Sequence, residues 1–170
     1  VALGLVLAFE PAEADVMERQ PRPPGQSLLT PLLVWQVVFV SILFVVGSFA
    51  MFWWAQARGI GIEEARTIVV NTIVVFSIFY LFAVRYSRSG SMTLEGASGT
   101  PAVLIGVGSI VVLQLAFTYL PIMQRLFDMR PTTFVYGMAI LVLGIVLLII
   151  LEVEKRVRRA IVRASDAGAS

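Results

Sequence analysis

The sequence predicts an all-α integral membrane helical bundle, four full transmembrane helices preceded by a half helix. Three observations carry that reading. Residues 32–54, 68–84, 102–120 and 132–151 contain no charged side chain, and about 20 apolar residues in a helix cross roughly 30 Å of hydrocarbon. The hydrophobic share is 58% and the mean hydropathy +0.89, against roughly 45–50% apolar residues in soluble domains. None of the four stretches shows the polar face, recurring every three or four positions, that a water-facing helix needs.

The elements follow in order. Residues 1–9, VALGLVLAF, are apolar but too short to span. No basic region precedes them and Glu10-Pro11 stands where a signal peptide would have small residues, so they read as the end of a transmembrane helix. Residues 10–30 hold four of the eight prolines (Pro11, Pro21, Pro23, Pro24) and the acids Glu10, Glu13, Asp15 and Glu18. Such a segment is expected to be an extended loop, since proline lacks an N–H and restricts its predecessor.

Three spans then open on proline. Thr30-Pro31 and Thr100-Pro101 place a capping hydroxyl before a proline at the first helical position, where a missing N–H costs nothing. Arg130-Pro131 repeats the proline without the cap. The second span opens on Glu63-Glu64, whose charge suits the positive end of a helix dipole. Pro121 is expected to end the third span, leaving 122–130 as a connection on the same side as 59–64. Trp53, Trp54, Tyr80, Tyr86, Tyr119 and Phe134 fall near span ends, as interfacial aromatics do.

The last span is expected to continue as helix to Ala164, before a disordered tail at 165–170. Glu152 with Arg156 and Glu154 with Arg158 are i, i+4 pairs in the favoured order. Val153, Val157, Ala160, Ile161 and Ala164 make an apolar stripe that can lie against headgroups or a partner domain. The division is thus 1–9, helix end; 10–30, Pro-rich acidic loop; 31–164, four-helix bundle with a helical extension; and 165–170, tail.

Charge orients the bundle. Arg19, Arg22, Arg85, Arg88, Lys155, Arg156, Arg158, Arg159 and Arg163 fall on one side, and only Arg58, Arg66, Arg125 and Arg130 on the other. Basic residues stay cytoplasmic, so the 10–30 loop and the C-terminus are expected to be cytoplasmic. The net charge of +2 and pI near 9.4 do not imply a nucleic-acid partner, because five of the thirteen basic residues lie in the last sixteen positions, where membrane anchors belong. The chain has no cysteine and no histidine, which excludes disulfides, thiolate chemistry, haem ligation and imidazole zinc sites.

Residues 2–22, ALGLVLAFEPAEADVMERQPR, resemble the end of the sixth transmembrane helix and the following cytoplasmic loop of type II P-type cation-transporting ATPases. ARTIVVNT at 65–72 and IFYLF at 78–82 resemble the eighth helix of bacterial, calcium-pump-like members, and EVEKRVRR at 152–159 the cytoplasmic exit of the tenth. The resemblance covers essentially the whole chain. It implies half of helix six and helices seven to ten, in a multi-pass protein of the plasma (inner) membrane. Its partners would be the lipid bilayer and the N-terminal remainder of a pump that uses ATP and Mg. The Asp-Lys-Thr-Gly phosphorylation motif and any Gly-rich phosphate loop are absent from these residues. No cofactor is expected in this chain, and no ATP hydrolysis by it alone.

A cation crossing a bilayer exchanges water for oxygen ligands near the midplane. By the resemblance, the acid and amide ligands of helix six would lie just before Val1. Ser77 stands where the eighth helix of the family often carries Glu, and Ala83 where Asn is frequent. Within the spans, Asn71, Ser77, Gln36 and Gln114 remain as a weak cation pathway. Asn71 and Ser77 lie six residues apart, about 240° around a helix of 3.6 residues per turn, so they cannot share one ion. The plainer role open to each is an interhelical hydrogen bond, worth about 0.6 kcal/mol on average. Gly106, Gly108 and Ser109 read as a close-packing patch.

For Glu10, Glu13, Asp15 and Glu18 the resemblance implies a coupling loop that touches the phosphorylation domain; the plainer role is a solvated connector. A rival reading of the chain is a free-standing four-span exporter or assembly factor. A proton-coupled exporter would want an ionisable residue inside a span, and every Asp, Glu, Lys and Arg sits at a span end or in a loop.

Overall fold

Five helices make up the described part of the chain, residues 30–88 and 101–167 of the computed structural model. They are α1 (Pro31–Ala57), α2 (Ile62–Arg88), α3 (Pro101–Tyr119), α4 (Pro121–Phe127) and α5 (Phe134–Ala167). The expected half helix at 1–9 and the loop at 10–29 lie outside these residues, as does the Thr100 cap.

Helix α1 begins as its sequence requires. Thr30 is extended (φ −76°, ψ 151°), its Oγ1 accepts from Leu33 N–H at 3.3 Å, and Pro31 occupies the first turn. It ends in a Schellman turn, in which Gly59 N–H donates to Gln56 O at 2.9 Å and Ile60 N–H to Ala55 O at 3.2 Å. Gly59 has φ 75°, a left-handed conformation costly for any residue with a Cβ. The turn brings α2 back beside α1, with Glu63 and Glu64 in its first turn as expected.

Helix α2 is the centre of the bundle, packed against α1, α5 and α3. One core cluster, toward the α1–α2 turn, joins Met51, Ala55, Ala65, Ile68, Tyr136 and Ile140. A second, toward the other end, joins Phe76, Ala83, Leu147 and Leu151. Two glycines allow this approach. A Cβ on Gly47 would lie 2.6 Å from Phe76 Cζ, and one on Gly144 2.7 Å from Phe79 Cδ2. Of the close-packing patch expected at Gly106, Gly108 and Ser109, only Gly106 is half-buried. Gly108 and Ser109 are exposed, and nothing lies within 4 Å of a Cβ on Gly108. Helix α3 is apolar on nearly every face, with Gln114 and Thr118 as the one polar pair spaced i, i+4.

Helices α1, α2 and α5 are long and apolar enough to cross a membrane, and α3 with α4 adds a fourth if the pair is one bent span. The connection expected at 122–130 is largely helix. Pro121 ends α3 but also begins α4, bent by 72°. Leu120, held extended before the proline (φ −74°, ψ 127°), makes the corner. Pro131 does not open the last helix as expected. Residues 131–133 stay non-helical, Thr133 O accepts from Tyr136 and Gly137 N–H, and α5 starts at Phe134. The far end of α5 reaches Ala167, three residues past the expected Ala164.

Candidate functional site

The four polar side chains singled out in the spans do not converge. Asn71 and Gln114 meet between α2 and α3: Gln114 Nε2 donates to Asn71 Oδ1 at 2.6 Å, and Thr118 Oγ1 donates to the same oxygen at 3.0 Å. Gln114 and Thr118 are one turn apart on α3, so both reach one acceptor on the facing helix. Ser77 turns inward on its own helix, its hydroxyl donating to Ile73 O at 2.8 Å. Gln36 lies on α1 beside a cavity shared with α2 and α5, next to Tyr80, Glu154 and Lys155.

Thr118 and Gln124 complete the polar bracket, and sequence reasoning missed both. Gln124 Nε2 donates to Thr118 O at 3.0 Å, satisfying a carbonyl released where α3 stops. The i, i+4 spacing of Gln114 and Thr118 was the available signal. The bracket Asn71–Gln114–Thr118–Gln124 is neutral and ties α2 to α3 and the corner into α4. Among the described residues no three carboxylates, histidines or cysteines gather where they could hold a metal ion. The buried hydroxyls of Ser48 and Thr132 have no partner, but they lie on different elements, α1 and the turn before α5.

The bundle's two ends differ electrostatically. At the end carrying the α1–α2 turn, Arg130 Nε lies 2.5 Å from Glu63 and Arg66 3.9 Å from Asp128. Glu64 Oε1 accepts from Thr133 N–H at 3.3 Å, and Arg58 lies 4.4 Å over the Trp54 ring. The segments 59–64 and 122–130, expected to share a side, are joined here. At the opposite end α5 carries the two expected pairs, Glu152–Arg156 at 3.8 Å and Glu154–Arg158 at 3.7 Å. Lys155 is the chain's only lysine and stands four residues after the core residue Leu151; it is only 6% exposed and its ammonium donates to Ala83 O across the helix interface. The stripe Val153, Val157 and Ile161 is exposed and unpartnered among the described residues.

Comparison with known proteins agrees with this architecture. Residues 1–157 match the family described as cation transporting ATPase, C-terminus. The chain is 44% identical over 131 residues to the probable cation-transporting ATPase F of Mycobacterium tuberculosis, covering 77% of this chain and 14% of that protein. It is 29% identical over 136 residues to the cation-transporting ATPase pma1 of Synechocystis, covering 77% and 15%. To the calcium-transporting ATPase type 2C member 1 of Bos taurus it is 25% identical over 154 residues, covering 91% and 16%. The chain therefore spans about one-seventh of the length of these curated relatives. With an apolar helical bundle, a neutral polar bracket between α2 and α3, and a family match across nearly its whole length, the chain belongs to the C-terminal membrane region of the cation-transporting ATPases.

Proposed function

We propose that the chain is the helical scaffold of the transport domain of an ATP-driven cation pump, and that it contributes few or no ion ligands of its own. One observation carries the scaffold role. Its best-placed polar side chains, Asn71, Gln114 and Thr118, spend their hydrogen bonds on one another. Hard cations owe much of their affinity to charged oxygen ligands, and these are amides and a hydroxyl. In this reading ATP and Mg bind to other portions of the pump. The reading of a free-standing exporter is not favoured, given the family match and the absence of a charged residue inside the four apolar stretches.

The test is to place Asn71→Ala and Gln114→Ala in the complete pump and measure expression, thermal stability and the cation concentration for half-maximal ATP turnover. Each variant is expected to lose about 0.6–2 kcal/mol of stability, the range for an interhelical hydrogen bond in a membrane, with the cation dependence unmoved. A tenfold rise in the cation requirement at normal expression would assign Asn71 to the ion path.

The acidic loop is the chain's coupling surface in this reading. Glu10, Glu13, Asp15 and Glu18 form an acidic cluster in a segment rich in prolines, and interfacial charges set docking more than membrane insertion. Glu13→Ala with Asp15→Ala in the complete pump is expected to leave expression normal and lower ATP turnover and transport together. Unchanged turnover and transport would reduce the loop to a solvated connector.

A further inference from the structure

Between α1, α2 and α5, at the end opposite the α1–α2 turn, lies a cavity of about 180 Å³. Phe39 and Leu151 give it apolar walls, while Gln36, Tyr80, Glu154 and Lys155 bring polar groups to it. Its depth follows from α5. The uncharged run from Phe134 to Leu151 is about 27 Å long at 1.5 Å per residue, close to the hydrocarbon thickness of about 30 Å. Glu152 is the first charge after it. Trp35, stacked on Phe39 with ring centroids 6.1 Å apart and half exposed, marks the same level on α1. Indoles favour the headgroup boundary. The cavity therefore straddles hydrocarbon and headgroups.

Its polar chemistry is that of an anion site. The Lys155 ammonium has three N–H donors, one of them on Ala83 O. The Glu152 carboxylate is ion-paired with it at 3.7 Å, so at most one N–H is left for another acceptor. Glu154, the one acid lining the cavity, is likewise ion-paired with Arg158 at 3.7 Å. Residues 152–159 carry four basic and two acidic side chains, so the local field is positive.

We infer that this cavity binds an anionic phospholipid from the leaflet at the basic end of the bundle. The lipid phosphate sits on Lys155, and its glycerol and first acyl methylenes lie along Phe39 and Leu151. The inference rests on the membrane reading of the fold and is independent of which cation the pump moves.

Native mass spectrometry of the complete pump in neutral detergent tests it, with phosphatidylglycerol and phosphatidylcholine of equal chain length added in turn. The pump is expected to retain one phosphatidylglycerol in preference to phosphatidylcholine, and Lys155→Gln to lower that occupancy about tenfold, the loss of one charge-assisted hydrogen bond. Val40→Trp, which fills the cavity from α1 and leaves Lys155 in place, is expected to do the same and decides the matter if Lys155→Gln does not fold. Inorganic phosphate is expected not to displace the lipid. Equal retention of the two lipids, or retention unchanged in Val40→Trp, would overturn the inference. So would displacement by phosphate alone, which would make the site one for a free anion.

Discussion

At the residue scale, missing side chains matter as much as those present. Gly144 faces Phe79 and Val75 so closely that a Cβ would lie 2.8 Å from Phe79 Cε2 and 3.0 Å from Val75 Cγ1. A planar ring wedged between helices cannot give way cheaply, and overpacking of this kind costs about 1–3 kcal/mol. Gly137, on the same helix, has open space around it, with nothing within 4 Å of where a Cβ would sit. Gly144→Ala is thus expected to lower the thermal midpoint in detergent. Gly137→Ala is expected to hold or raise it, since alanine gains up to about 1 kcal/mol over glycine inside a helix. A midpoint unchanged in Gly144→Ala would mean that α2 and α5 pack less closely. The same economy explains Asn71: its one carbonyl oxygen takes two donors from a helix more than forty residues away in sequence.

At the element scale, the corner between α3 and α4 shows how one proline serves two helices. Pro121 offers no N–H to continue α3, but its fixed φ suits the first turn of α4. Leu120 N–H still closes on Ala116 O at 2.8 Å, and Leu120 O accepts from Met123 and Gln124 N–H. The Gln124 side chain folds back to Thr118 O and holds the 72° bend. Gln124→Leu removes that donor and leaves a part-buried carbonyl unpaired, a cost of about 1–3 kcal/mol. Hydrogen–deuterium exchange in α4 is expected to quicken in this variant while exchange in α2 stays unchanged; equal protection of α4 in both proteins would count against the bracket. A helix of seven residues is too short to reveal a period, which is why the residues of α4 read as a connection. The start of α5 departs from expectation for another reason. Glu64, 69 residues upstream, takes the Thr133 N–H and favours the cap there over Pro131.

For the whole molecule, the governing feature is the unequal number of basic residues at its ends. Four arginines (Arg58, Arg66, Arg125 and Arg130) lie at the α1–α2 turn end, whereas α5 from Glu152 onward alone carries five basic residues, Lys155, Arg156, Arg158, Arg159 and Arg163, beside Arg85 and Arg88 on the end of α2. Orientation follows the basic residues flanking the spans, so the α5 extension is expected to face the cytoplasm. Single substitutions Gly61→Cys and Ser165→Cys, probed in intact cells with an impermeant thiol reagent, check this in a chain that has no other cysteine. Labelling is expected at position 61 and absent at 165. The reverse pattern would invert the bundle.

The spans, the Thr30 cap, the acidic first turn of α2 and the Glu–Arg pairs of α5 were legible in the residues alone. Each depends on neighbours within about one helical turn, or on apolar content summed over a span. The contacts that make these helices one bundle were not legible: Gly47 on Phe76, Gly144 on Phe79, Asn71 with Gln114 and Thr118, and Lys155 on Ala83 O. In water a polar stripe tells which face of a helix turns outward. In lipid both faces are apolar, so most of α1 carries no such mark and α3 only the pair Gln114 and Thr118, which does not name its partner. Rotation and tilt are then set by where a missing Cβ admits a ring and where a buried donor finds its acceptor, and those partners lie far apart in the chain.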